Sequence, residues 1–245
     1  MIDDTDHGPT DTDNGSTDTA DASTDDGDAP STQRPVPTVE PIEPAAPENF
    51  GCVQVWWGDG KGKTTAALGM GLRAAGHGYR VHALQFMKGG TPTVEGVRGE
   101  HNAAAHVPGF TIETTGHVGW HGFMDDTADD EHAARARAAL DRAREIVAGT
   151  AAGDPTTPFA LDGDPTDGVH LLLLDEALYA ANRGLIDPAN LLALLDDRPD
   201  GLEVVLTGGH EYPEYVAEHA DLLSHVEKQA HPLEAGHPAR KGTEY

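Results

Sequence analysis

Apolar and polar positions divide the chain into an unpatterned beginning and a patterned remainder. From residue 52 onward, short apolar runs alternate with stretches of helical periodicity, the order that builds a parallel sheet covered on both faces. Residues 52–57 read as a first strand. In residues 63–75, Ala66, Ala67, Met70 and Ala74 recur at helical spacing, and Gly76-His77-Gly78 supplies a stop. Residues 81–86 and 110–114 read as the second and third strands. Residues 128–148, rich in Ala, Arg and Glu with Leu140, Ile146 and Val147 on one side, predict a long surface helix. The Gly, Pro and Asp-rich residues 149–168 are expected to form an exposed insertion.

Farther on, residues 169–174 form an uninterrupted apolar run closed by Asp175-Glu176, as a buried central strand delivering acids at its carboxyl end would be. Pro188 at a first helical turn, with Asp187 as cap, opens a helix over 189–195. Residues 203–206 read as a strand running into Thr207-Gly208-Gly209, 212–219 as a short helix and 222–226 as a last strand. The fold expected is a single α/β domain over residues 49–245, a doubly wound, mostly parallel sheet with its site at the carboxyl ends of the strands.

Residues 1–48 have almost nothing to bury. They are Asp, Thr, Ser, Gly and Pro, so burial cannot offset the entropy of ordering them, and a disordered acidic tail with a Pro-rich linker is expected. The whole chain has 42 acidic and 16 basic residues, for a net charge of −26, which argues against nucleic-acid and membrane partners. The tail holds 13 of those acids and one Arg, leaving 29 acids against 15 basic residues, so the folded part is itself acidic. With only five lysines, such a surface suits a cytoplasm at molar salt, where the Debye length shrinks to about 3 Å. A halophilic, cytoplasmic protein is the expectation. The single cysteine, Cys52, excludes an intrachain disulfide and is expected to be a buried small hydrophobe.

The candidate chemistry starts at Gly58-Asp59-Gly60-Lys61-Gly62-Lys63-Thr64-Thr65, between the first strand and the first helix. Backbone amides of such a loop and the helix N-terminus form a preorganised phosphate site, in which Lys63 neutralises phosphate oxygens and Thr64 holds Mg²⁺. The ordinary pattern, G-x-x-x-x-G-K-[ST], requires glycine at position 57 and meets Trp57, so the loop is one residue short. Asp175 and Glu176 supply a second nucleotide motif on the metal side, although acids at a strand end also serve as helix caps. An ATPase or kinase satisfies these features equally well.

The contracted loop resembles that of the P-loop type of ATP:corrinoid adenosyltransferase, which reads Gly-Asn-Gly-Lys-Gly-Lys-Thr-Thr-Ala-Ala, with Asp59 here in place of Asn. The resemblance continues through Arg73-Ala74-Ala75-Gly76-His77-Gly78, Gln85-Phe86-Met87-Lys88-Gly89, Gly99-Glu100, Leu174-Asp175-Glu176, Arg198-Pro199, Thr207-Gly208, Ala220-Asp221 and Lys241-Gly242-Thr243-Glu244-Tyr245, and covers nearly everything from residue 50. It implies a P-loop NTPase-like (RecA-like) three-layer sandwich. It also implies transfer of the 5′-deoxyadenosyl group of ATP to Co(I) of a corrinoid, with release of triphosphate, in cobalamin biosynthesis or salvage. Co(I) is the nucleophile, so no side-chain base is needed.

On this resemblance Gly58, Asp59, Gly60, Lys61, Gly62, Lys63, Thr64 and Thr65 hold the nucleotide. Thr64, Asp175 and Glu176 hold Mg²⁺ or Mn²⁺, and Lys63, Thr64 and Glu176 are the catalytic candidates. Lys88 and Glu100 are candidates for ribose or phosphate contact. Trp120 and Phe123, in a loop after Thr115-Gly116, are candidates for crowding the lower corrin face. His117 stands where the family has an aromatic. The spacing of His117 and His121 could bind a metal on a helix, but two glycines lie close and no third ligand is evident. The family's Thr-Gly-Arg becomes Thr207-Gly208-Gly209, and the basic N-terminal helix of some members is replaced by the acidic tail. Expected partners are a reductase supplying Co(I) and a second copy of the chain in a homodimer. A P-loop ATPase or kinase, or a non-catalytic corrinoid or nucleotide binder, is the alternative.

Overall fold

The computed structural model describes residues 37–88, 98–115, 129–238 and 240–243. It divides into two units, Met1–Glu40 and Pro41–Tyr245. The described part of the first, residues 37–40, is exposed and without secondary structure. The second contains a six-stranded sheet of β1 (Val53–Trp57), β2 (Val81–Gln85), β3 (Phe110–Thr114), β4 (Leu171–Asp175), β5 (Glu203–Thr207) and β6 (Leu222–His225). Its order is β3-β2-β4-β5-β1-β6, and every pairing is parallel.

Alternate side chains of the buried strands feed two cores. Leu172, Leu174, Val204 and Leu206 face one side with Val53 and Val55, whereas Leu171, Leu173 and Val205 face the other with Val81 and Ala83. Helices α1 (Lys63–Gly76) and α2 (Gly99–Ala104) supply Ala67, Ala74, Ala75 and Ala104 to the second core. The first core is covered by α3 (Asp129–Gly153), α4 (Ala177–Asn182), α5 (Pro188–Asp196) and α6 (Glu214–Ala217). The result is the expected three-layer α/β sandwich.

Strand positions follow the pattern to within two residues, while several other expectations change. α3 runs through Gly149 to Gly153, because Gly149 lies against the 165–167 helical turn: a Cβ there would sit 1.8 Å from the Thr166 carbonyl oxygen. The stretch read as an exposed insertion is partly core. Phe159 is buried, Nε2 of His170 lies 3.0 Å from the Thr157 carbonyl oxygen, and the Arg80 guanidinium donates to the Gly163 carbonyl.

Cys52 is exposed, because β1 begins one residue later and Val53 is the first residue turned inward. α2 and α4 have no counterpart in the periodicity, being six residues each, too short to show it. Residues 41–48, grouped with the tail by composition, include a backbone bond from Ala45 to the Gly78 carbonyl at 3.0 Å and a buried Pro47. Among the described residues no helix is long and apolar enough to cross a membrane.

Candidate active site

The sheet order places β5 between β1 and β4, so the carboxyl ends of the three strands form one row. β1 continues through Trp57, the position that an ordinary loop gives to its first glycine. The Trp57 ring is stacked on His225 at 4.0 Å and meets Tyr212 edge-on at 5.3 Å, which holds that position as strand. The turn therefore starts at Gly58, whose φ of 120° and whose approach to the Val226 carbonyl leave no room for a Cβ.

The loop is tied at both ends. Gly58 N–H donates to Gly209 O at 2.9 Å, Gly60 N–H to Val226 O at 2.8 Å, and Lys228 N–H to Asp59 Oδ1 at 2.9 Å. That last bond, more than any other cause, holds the Asp59 carboxyl below its ordinary range. Gly62, at φ 110°, caps α1, and Ala66 N–H makes the helix's first bond, to Gly62 O. The amides of Lys63, Thr64 and Thr65 thus belong to the first turn, where an α-helix offers no acceptor of its own.

Asp175, 1% exposed at the end of β4, is the hub. Its Oδ1 accepts from Thr64 Oγ1 at 2.8 Å and Thr207 Oγ1 at 2.6 Å; its Oδ2 accepts from Lys88 Nζ at 2.6 Å and Gln85 Nε2 at 3.0 Å. Burial alone would raise its pKa, but the Lys88 charge and these hydrogen bonds outweigh it and hold the carboxyl below its ordinary value. The neighbouring Glu176 moves the opposite way, raised by burial and then by the Asp175 charge. Its backbone is left-handed, at φ 63°, a strained conformation for a side-chain-bearing residue, and Thr207 Oγ1 accepts its N–H at 3.0 Å. Lys63 donates to Gly58 O at 2.6 Å and Gly60 O at 2.9 Å, and burial pulls its pKa down against the nearby acids.

A cleft of about 680 Å³ opens on this constellation. One end is polar, with the loop from Asp59 to Thr65, Lys88, Arg98, Glu100 and Glu176; the other is apolar, with Leu68, Leu72, Val107, Phe110 and Ile112. The predicted loop residues, Lys88, Glu100 and the Asp175-Glu176 pair therefore meet in one place. Lys88 has a partner the sequence did not suggest, the Asp175 carboxylate. Trp120 and Phe123, with His117 and His121, lie outside the described residues.

Sequence reasoning quoted Gln85 and Thr207 within matching motifs without giving them a task, and did not single out Arg98 or His101. Gln85 and Thr207 had a readable signal, since each is a polar residue ending an apolar strand of a parallel sheet. Arg98 and His101 had none, because α2 is not visible in the pattern.

Thr64 and Asp175 suit a small hard cation. Their oxygens already lie within 2.8 Å of each other, and Mg²⁺ in nucleotide sites takes one or two carboxylates and completes its shell from phosphate and water. Accordingly no cluster of three His, Cys, Asp or Glu is found among the described residues.

Comparison with known proteins gives the family. A family model described as ATP:corrinoid adenosyltransferase BtuR/CobO/CobP matches residues 49–245. The chain is 33% identical over 200 residues to a corrinoid adenosyltransferase of Pseudomonas aeruginosa, covering 82% of this chain and 86% of that one. It is 31% identical over 202 residues to the corrinoid adenosyltransferase of Escherichia coli K12, covering 82% and 88%. With the corrinoid adenosyltransferase CobA of Salmonella typhimurium the identity is 29% over 202 residues, with the same coverages.

Proposed function

The chain belongs to the ATP:corrinoid adenosyltransferase family, and from that premise we propose that it transfers the 5′-deoxyadenosyl group of ATP to Co(I) of a corrinoid, releasing triphosphate. The observation that carries the reading is the contracted loop, in which Trp57 remains strand and the phosphate site begins at Gly58, beside the buried Asp175. In the reaction the Co(I) electron pair attacks C5′, a Co–C bond forms, and the C5′–O bond breaks with its electron pair leaving on triphosphate.

The residues then have positional tasks. First-turn amides and Lys63 bind phosphate oxygens. Thr64 and Asp175 would hold Mg²⁺, with Glu176 beside them, and the ion would supply neutralisation of charge on the leaving triphosphate. Asp175, kept ionised by Lys88, stays an acceptor, while the apolar wall of Leu68, Leu72, Val107, Phe110 and Ile112 excludes water from a reactive Co(I). Lys61, Thr65, Glu100 and Arg98 line the same cleft, and ribose or phosphate contact is the task assigned to them. Trp120 and Phe123 remain the candidates for the lower corrin face.

The reading extends to a homodimer working in a salt-rich cytoplasm with a reductase that supplies Co(I). Incubation with ATP, Mg²⁺ and chemically reduced cobinamide or cobalamin at high salt should give a light-sensitive Co–C product and triphosphate in equal amounts. Orthophosphate without alkylcorrinoid would overturn the assignment and favour an ATPase. Nucleotide binding without either product would favour a non-catalytic binder.

A further inference from the structure

Beside the site lies a contact that the reaction as described does not use. Gln85 ends β2 fully buried, directly across from Asp175 in the parallel register. Its Nε2 donates to Asp175 Oδ2 at 3.0 Å, and its Oε1 lies 2.9 Å from Nε2 of His101, a half-buried residue of α2. An ionised carboxylate only accepts, so the amide nitrogen of Gln85 must face Asp175 and its oxygen must face the imidazole. His101 must therefore carry its proton on Nε2. If the ring presented an unprotonated Nε2 there, an inverted Gln85 amide would gain a bond to the ring while turning its oxygen toward the carboxylate, so the two demands on Gln85 would compete.

We propose that His101 is a positioning residue that orients Asp175 through Gln85, and so sets how the metal-side carboxylate is presented to the Mg²⁺ complex of ATP. The inference rests on the metal assignment above for its binding consequence, but not for its geometry. The same helix carries Glu100 and its N-cap residue is Arg98, both lining the cleft, so the relay also joins that wall to the hub. Asp175 has four donors, Thr64, Thr207, Lys88 and Gln85, and all four reach it directly. Of the four, only Gln85 carries an amide, which can present an oxygen in place of its donor.

Two measurements test this. Calorimetry compares ATP binding with and without Mg²⁺ in the wild type, His101→Ala and His101→Gln, all confirmed folded by circular dichroism. A glutamine places an N–H donor near the position of Nε2. His101→Ala should weaken Mg²⁺-dependent binding about tenfold, leave metal-free binding within about twofold, and be restored to within about threefold of the wild type by His101→Gln. Equal loss with and without metal, no loss at all, or no rescue by Gln in a folded variant would overturn the proposal.

The second measurement reads the imidazole ¹⁵N resonances of the wild type. His101 should be the Nε2–H tautomer and should lose that preference in Gln85→Leu; an Nδ1–H tautomer in the wild type would sink the relay outright. If the wild type binds ATP identically with and without Mg²⁺, the metal assignment and the binding consequence fall together, and the tautomer still decides the geometry.

Discussion

At the residue scale, charge pairing in a buried setting decides what each group can do. Lys63 bridges two loop carbonyls and points into the cleft without supporting either core. Lys63→Ala should therefore lower transfer at least about a hundredfold while leaving the melting temperature nearly unchanged; wild-type turnover in the folded variant would remove the loop from the mechanism. Asp175→Asn is expected to behave differently. The amide can keep an oxygen for Thr64 and Thr207 but then turns an NH₂ toward the donors Lys88 and Gln85. The expected result is a loss of roughly 3 kcal/mol in denaturant unfolding together with loss of activity.

A third group titrates away from the site. His82 is fully buried, with Nδ1 2.8 Å from Thr111 Oγ1 and Nε2 without a hydrogen-bond partner, and burial pushes its pKa down to about 4 from 6.5. The unfolded chain takes up this proton below about pH 6.5 and the folded protein only near 4. Stability should therefore fall as pH drops through that window, by up to about 3 kcal/mol, and level off beneath it. Urea unfolding at pH 7.5 and 4.5 measures the difference, which should shrink in His82→Gln.

Among the elements, local rules account for some boundaries and tertiary contacts for others. α5 starts where the sequence put it, because Pro188 suits a first turn and the Asp187 side chain accepts the Ala189 N–H at 2.9 Å. Asp187→Ala should cost about 1 kcal/mol of stability and leave activity alone, as measured by unfolding and turnover on the same preparation. α3 shows the opposite case. Gly149→Ala improves helix propensity, yet its methyl would press on the Thr166 backbone, so the substitution should destabilise by about 1–3 kcal/mol instead of stabilising. A raised melting temperature would mean that the 165–167 turn moves aside easily.

For the whole molecule, the acidic surface and the tail make separate predictions. A net charge of −26 gives self-repulsion that salt screens, so melting temperature should rise steadily as KCl is taken from 0.1 to 2 M; a flat response would remove the salt-adaptation reading. Deleting residues 1–40 should leave both activity and melting temperature unchanged. Deleting 1–46 also removes the Ala45 to Gly78 bond and should lower stability by about 1 kcal/mol without touching the chemistry. Loss of activity on the shorter deletion would give the tail a role in catalysis.

What the sequence determined by itself was whatever depends on near neighbours along the chain. Apolar alternation located all six strands, the loop from Gly58 to Thr65 announced a phosphate site, and the run ending in Asp175-Glu176 put acids at a strand end. The missing residue at Trp57 was legible as a contraction; its cause, a strand held by stacking on His225, was not. The tertiary structure decided everything that rests on contacts between residues far apart in number. Asp175 becomes a hub only because Thr64, the Gln85 to Lys88 stretch and Thr207 come together from three separate segments, and no one of those segments announces its pairing with Asp175. Parallel pairing brings such segments together, and pairing order is fixed by packing of the whole sheet, which periodicity along a single strand does not encode.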